Sequence, residues 1–290
     1  VSSIDVHRGP LTARVGAGTD VGRVRESNED AYLAEDLVLL VADGLGGHAA
    51  GEVASVIAVA TMRELAGRAS RTAEDVARQV TVAGDRVVEA GRRNPAYAGM
   101  GTTLTGVVLV DAGGTARTGQ GWSDGRPAEA DGAEPPGSER GARWVVVNVG
   151  DSRTYRLDGG VLERLTTDHS EVQELVDAGL LTAEQAERHP LRNIVTRSLG
   201  QGLGVRPDVR VLEPRAGERL LVCSDGLTGE LPEPEIRNLL LAHDDPQDAV
   251  DALVAAALRA GGRDNVTVVV ADVLSVGDPP APSRGRQPSP

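Results

Sequence analysis

The sequence predicts an α+β fold: a four-layer αββα sandwich, with two central antiparallel β-sheets flanked by pairs of helices. Three observations carry this. Strand-like segments arrive in adjacent pairs, and helix-like segments also come in pairs, whereas uniform strand–helix alternation would indicate one parallel sheet. The runs LVLLVA (37–42) and WVVV (144–147) are apolar at every position, so those strands are covered on both faces. Two stacked sheets with helices outside give that cover.

The elements follow in order. Residues 1–10 are mixed in character and are expected to form a flexible N-terminus. VGAGTDVG (15–22) leads through RVRESNEDAYLAED (23–36) to the strand LVLLVAD (37–43). Residues 51–69 are helical, with Val53, Ile57, Ala60 and Leu65 on one face. A second helix spans 72–93, capped by Thr72 with Asp75 three positions on. TTLTGVVLV (102–110) and WVVVNVG (144–150) are strands, and TYRLDGGVLERLT (154–166) is a hairpin with Asp-Gly at its turn. Residues 170–188 are helical in two pieces around Gly179. RLLVCSD (219–225) and NVTVVVADV (265–273) are strands, with helices over 233–241 and 246–260 between them.

Two stretches fall outside this pattern. Residues 111–143 hold eight Gly and three Pro with no apolar period, between two strong strands. They read as a long loop inserted in a hairpin, which chain entropy tolerates because closure cost grows slowly with length. Residues 276–290, VGDPPAPSRGRQPSP, read as a disordered Pro-rich tail. One domain over 11–275 remains.

Composition excludes several functions. The 290 residues carry a net charge of −13, with 36 Gly, two Trp, three Tyr and no Phe. All 30 basic residues are Arg. Without Lys there is no Walker-type phosphate loop and no Schiff-base chemistry. The acidic balance supplies no basic stripe for nucleic acid. Cys223 is the single cysteine, which rules out an internal disulfide and a zinc–thiolate cluster. It lies within an apolar strand, and the Cys-x5-Arg phosphate loop would need Arg where Gly229 stands. GAGTDVG (16–22) lacks the spacing and following helix of a dinucleotide site. The first 30 residues hold no apolar signal core, and no stretch approaches the ~18 apolar residues of a membrane span. The expectation is a cytoplasmic monomer.

The chemistry gathers at strand ends. Asp43 closes LVLLVA, Asp151 follows WVVVNVG, Asp225 follows LLVCS, and Asp264 precedes NVTVVVADV. Glu29 and Asp30 lie in RESNED beside Arg25. Asp favours turns, so any one of these could simply be a turn residue. Together they place acids at the tips of buried strands, where sheet ends bring distant residues together. Such crowding repels strongly without a cation, and oxygen-only ligands favour Mg²⁺ or Mn²⁺. Asp43 has two oxygens with which to bridge two ions, and Gly44 can offer an unobstructed carbonyl. Gly46 and Gly47 let the chain turn before the helix.

RESNED (25–30), LVADGLGGHAAGEVAS (40–55), GMGTTLTGVVL (99–109), NVGDSRTYRL (148–157), LTTDHSEVQELVDAGLLTAEQ with HPLRNIVTRSLG (165–200), LLVCSDGLTGEL (220–231) and GGRDNVTVVVADV (261–273) occur in this order. The ordered set resembles the PPM/PP2C family of metal-dependent protein serine/threonine phosphatases, in its bacterial form, across roughly residues 15–273 without the 111–143 insert. The resemblance implies the same αββα fold, with metals at one end of the sandwich. It implies that Asp43 bridges two Mn²⁺ or Mg²⁺ ions, that Gly44 gives its carbonyl to one, and that Asp225 and Asp264 ligate the other. Glu29 would hold a metal-bound water, and Asp151 with Asp225 would form a third, weaker site. Arg25 would bind the substrate phosphate, and 166–200 would form a flap.

The implied activity is hydrolysis of phosphoserine and phosphothreonine in proteins, opposing bacterial Ser/Thr kinases. A pseudophosphatase with the same fold is the alternative, and the intact acids argue against it. One departure concerns the proton donor. Eukaryotic members often carry His directly after the Asp-Gly, where Leu45 stands here. His48 or a metal-bound water is the candidate in its place. His169 and His189 fall in the flap and read as structural.

Overall fold

The computed structural model describes residues 2–46, 49–111 and 141–277. The chain runs through β1 (Ile4–Arg8), β2 (Leu11–Asp20), β3 (Ala31–Glu35), β4 (Val38–Ala42), β5 (Gly44–Leu45), α1 (Ala49–Arg63) and α2 (Ala73–Arg93). Next come β6 (Gly101–Thr102), β7 (Leu104–Asp111), β8 (Ala142–Val149), β9 (Arg153–Asp158) and β10 (Val161–Arg164). The remainder is α3 (Glu171–Asp177), α4 (Ala183–Glu187), β11 (Asp208–Leu212), β12 (Arg219–Cys223), α5 (Asp225–Thr228), α6 (Glu233–Ala242), α7 (Pro246–Ala260) and β13 (Val266–Val276).

Two large sheets form, one ordered β1-β2-β13-β12-β9-β10 and the other β11-β8-β7-β4-β3, with β5 and β6 as a small separate pair. Every strand pairing is antiparallel. β4 shows why this apolar run needs two covers. Val38, Leu40 and Ala42 join Ala58, Met62, Val76 and Val80 of α1 and α2. Leu39 and Val41 face the opposite way, toward Leu220, Val222 and Val269 of the other sheet. Strand side chains alternate between faces, so an entirely apolar strand is one buried on both. On the far side, α6 and α7 lay Ile236, Leu240, Val250 and Leu253 over Leu221, Cys223, Val268 and Val270. The result is the expected four-layer sandwich.

Local signals explain the helix boundaries. Thr72 and Asp75 form a reciprocal capping box at the start of α2. Gly179, at φ +70, separates α3 from α4. α1 ends before residue 69, where the sequence had extended it. After Arg63 the backbone tightens into short turns, and Gly67 takes φ +72.

Two further boundaries differ from expectation. Residues 4–8 are not frayed but form β1, in register with β2 from Ile4 opposite Val15 to Arg8 opposite Leu11. An Arg14–Asp5 ion pair and the Arg8–Asp36 pair fasten it. The hairpin over 154–166 turns at Gly159 and Gly160, both with positive φ, rather than at Asp158, which pairs with Val161. Of the 111–143 insert, residues 112–140 lie outside the described residues, as do 278–290 of the tail. Among the described residues, no helix is long and apolar enough to cross a membrane.

Candidate active site

One end of the sandwich collects the acids. β4 ends at Ala42 and delivers Asp43, β8 ends at Val149 and delivers Asp151, and β12 ends at Cys223 and delivers Asp225. β13 begins just after Asp264. Asp43 and Asp151 thus leave the five-stranded sheet, while Asp225 and Asp264 belong to the six-stranded one. The site straddles the seam between the sheets.

Backbone bonds fix the two loops of the five-stranded side. The Asp43 N–H donates to Thr103 Oγ1 at 2.9 Å, and the Asp43 carbonyl accepts from the Thr103 N–H and the Thr102 hydroxyl, both at 2.9 Å. The Thr103 and Ser152 hydroxyls meet at 2.8 Å. Gly150 takes φ +108 with its Cα against the Thr103 side chain, where a Cβ would collide. Gly44 must also be glycine, because a Cβ there would strike the carbonyls of Gly51 and Glu29.

The RESNED loop is organised by Asn265. Its amide donates to the carbonyls of Val21 and Ser27, each at 2.9 Å, and its Oδ1 accepts the Glu29 N–H at 2.8 Å. Ser55 of α1 donates to the Glu29 carbonyl at 2.6 Å. The Glu29 carboxylate lies against Gly51, and a side chain there would displace it. Arg25 places Nη2 at 2.7 Å from Asp264 Oδ2, and this pairing raises the guanidinium pKa.

The electrostatics are those of like charges held together. Burial drives the Asp43 carboxyl well above its ordinary value, and Asp30, Asp225 and Asp151 push it further. Burial and then the charge of Asp225 bring Asp151 to about 8. Burial brings Asp30 to about 7. Asp225 is raised by burial and by Asp264. The carboxyls of Asp43 and Asp225 lie within hydrogen-bonding reach of each other. Each pair shares charge poorly, so protons or cations are held readily.

These residues suit a hard divalent cation. The donors are all oxygens, and two of them, Oδ1 of Asp225 and Oδ1 of Asp30, are buried without a hydrogen-bond partner. Among the described residues, no three His, Cys, Asp or Glu stand as a formed metal cage. Arg25 holds one of the acids, Asp264.

The sequence-predicted Arg25, Glu29, Asp43, Gly44, Asp151, Asp225 and Asp264 therefore come to one end of the fold. His48 and Gly47 lie outside the described residues. Two contributors were not singled out, and a third, Asp30, was named only as part of the acidic RESNED stretch. Asp30 accepts from the Ser224 hydroxyl at 2.8 Å and adds its charge to the cluster. Its position beside Glu29 was its only sign. Thr103 acts through its hydroxyl and Asn265 through both ends of its amide, which no residue pattern announces. Cys223 is buried, with its thiol pushed up to about 12, and so is inert as expected.

Acids gathered on the seam of an antiparallel sandwich make a centre suited to hard divalent cations. No family model matches the chain. The serine/threonine protein phosphatase PstP of Mycobacterium tuberculosis is 36% identical over 272 residues, covering 91% of this chain and 46% of PstP. The chain thus spans about half the length of that relative. Protein phosphatase PhpP of Streptococcus pneumoniae is 32% identical over 262 residues, covering 87% of this chain and 94% of PhpP. A solved catalytic domain of PstP in complex with two manganese ions superposes with a TM-score of 0.73 at 34% identity, covering 91% of this chain and 99% of that one. The chain belongs to the PPM family of serine/threonine protein phosphatases.

Proposed function

We propose that this chain hydrolyses phosphoserine and phosphothreonine in proteins, with divalent metal ions held by the acids at the seam. The observation that carries this is the grouping of Asp30, Asp43, Asp151 and Asp225, each pushed toward protonation by burial and by like charge. Such a group is stabilised by bound cations, and the manganese in the PstP catalytic domain supports Mn²⁺, or chemically similar Mg²⁺. Asp43 would bridge two ions, Gly44 would offer its carbonyl, and Asp225 and Asp264 would complete the pair. Glu29 would act through water, and Asp151 with Asp225 would hold a third ion. Bound ions would supply a nucleophilic water at neutral pH and neutralise charge on the phosphoryl oxygens.

The chain's own groups do the rest. Arg25 carries a planar fork suited to two phosphate oxygens, and its side chain is half exposed at the rim. The departing Ser or Thr alkoxide needs a proton, and His48 or a bound water is the proposed donor. The proposed setting is cytoplasmic and monomeric, with phosphorylated proteins as substrates and Ser/Thr kinases as the opposing partners.

The test is phosphate release from a phosphothreonine peptide with Mn²⁺, with EDTA, and with Asp225→Asn. Turnover that needs metal and is lost in the variant is the expected result. A folded wild type no faster than the variant, in both Mn²⁺ and Mg²⁺ and on several peptides, would sink the proposal in favour of a pseudophosphatase.

A further inference from the structure

His169 lies at a junction of three stretches of chain. It is 7% exposed. Its backbone N–H donates to the Gly150 carbonyl at 2.9 Å, and the Gly150 N–H donates back to its Nδ1 at 3.0 Å. Its backbone carbonyl accepts the Thr196 N–H at 2.9 Å. Its Nε2 lies 3.0 Å from Asp208 Oδ2, and Arg197 Nη1 donates to the other oxygen of Asp208 at 2.7 Å. His169 therefore joins the loop before Asp151 and the first residue of β11 through its ring, and the returning limb of the 166–200 segment through its backbone carbonyl.

The bonds fix the ring's protonation. Nδ1 accepts from a backbone N–H, so it carries no proton. A neutral imidazole then bears its proton on Nε2, which donates to Asp208. Arg197 Nη1 also stands 2.9 Å from Nε2, and with the proton there it cannot donate to the ring. Both donors serve the one carboxylate instead. Asp208 is the acceptor that selects this tautomer, much as a carboxylate orients an imidazole in other sites.

Gly150 has little freedom left. Thr103 closes the side where a Cβ would stand, and Asn148 donates to the Gly150 carbonyl at 3.1 Å. Its N–H is satisfied by His169 Nδ1. The next residue is Asp151.

We propose that His169 is a positioning residue: as the neutral Nε2–H tautomer it clamps Gly150, sets where the Asp151 carboxylate stands, and links that carboxylate to the 166–200 segment. Sequence pattern had left His169 as structural, and the reciprocal bond to Gly150 is what changes its standing. The inference deepens the proposed function and rests on it only for its kinetic readout.

Two substitutions divide the ring's two bonds. In His169→Asn the side-chain oxygen can take the place of Nδ1 and accept from Gly150. In His169→Gln the amide can reach Asp208 but leaves Gly150 without an acceptor. The tests are ¹⁵N–¹H multiple-bond spectra of the imidazoles, hydrogen exchange at the Gly150 amide, and Mn²⁺-dependent kinetics. The wild type is expected to show the Nε2–H tautomer, assigned by its loss in His169→Asn. His169→Gln is expected to lose about tenfold in Gly150 protection and about tenfold in kcat at nearly unchanged KM, whereas His169→Asn keeps most of both.

A His169 that is doubly protonated or carries its proton on Nδ1 near neutral pH overturns the proposal, even if both variants fail to fold. Equal losses in the two variants, tracking their melting temperatures, overturn it too, because they mark a packing role. If the wild type releases no phosphate, the proposed function falls, while the tautomer and the exchange data still decide on His169.

Discussion

The hydroxyl of Thr103 accepts the backbone N–H of Asp43 at 2.9 Å. The same oxygen meets Ser152, one residue beyond Asp151, so a single buried side chain sets the position of two acid-bearing loops. Thr103→Val keeps the shape and deletes the bond. It leaves a buried N–H unsatisfied and is expected to cost about 1–3 kcal/mol in denaturant unfolding. Phosphate release should fall more than stability alone explains, and Thr103→Ser should restore most of it.

The acid cluster makes the metal-free protein sensitive to pH. Asp30 and Asp151 are raised from 3.8 to about 7 and about 8 by burial, with Asp225 adding to both. For groups raised in the folded state, the stability they contribute is fully present below the ordinary carboxylate value. It is lost as pH rises through the folded values. In EDTA, Tm should therefore decline between about pH 4 and pH 8. Added Mn²⁺ should raise Tm most at the upper end of that window. A flat profile in EDTA would contradict the charge crowding.

Asp225→Asn removes one of the crowded charges. In EDTA the variant is expected to melt a few degrees above the wild type, because Asp43 and Asp151 lose a like-charged neighbour. In Mn²⁺ the order should reverse, with the wild type gaining more. Differential scanning calorimetry in both conditions checks the crossing.

The Arg25 guanidinium already holds Asp264 Oδ2, and its positive charge opposes a cation at the same carboxylate. Arg25→Ala should therefore tighten Mn²⁺ binding by calorimetric titration. The same variant should raise KM for a phosphopeptide by about tenfold or more, through loss of a charged donor. Weaker Mn²⁺ binding in the variant would show that the Arg25–Asp264 pair does not compete with metal.

At the α2 terminus, Thr72 bonds the Asp75 N–H and Asp75 returns to the Thr72 N–H. Thr72→Ala should cost about 1 kcal/mol in stability and leave kcat unchanged. This variant separates general destabilisation from effects on the site.

Legibility in the sequence followed burial. β4, β8, β12 and β13 are built around apolar runs, so their presence could be read from hydrophobicity, while their register could not. β1, β3 and β11 lie at sheet edges or beside polar loops, and IDVHR and DVRVL offer too little apolar pattern to announce themselves. α5 is a single turn. The metal-side acids were legible because each follows or precedes an apolar strand, which fixes its place in space. Thr103, Asn265 and His169 were not, because their importance lies in hydrogen bonds to residues more than a dozen positions away in sequence. The roles of His169 and of Asn265 needed coordinates.

The seam has a mechanical meaning. Asp43 and Asp225 project from different sheets, and Gly150–Ser152 is the connection where the chain crosses from β8 to β9. If one sheet slid against the other by a single strand residue, roughly 3.4 Å, the acids would part company. The leucines and valines between the layers, Leu39, Val41, Leu220 and Val222 among them, thus act as the gauge block of the site. Enlarging or shaving one of them would be felt as a change in the spacing between opposing carboxylates, at a distance and without touching a single polar atom.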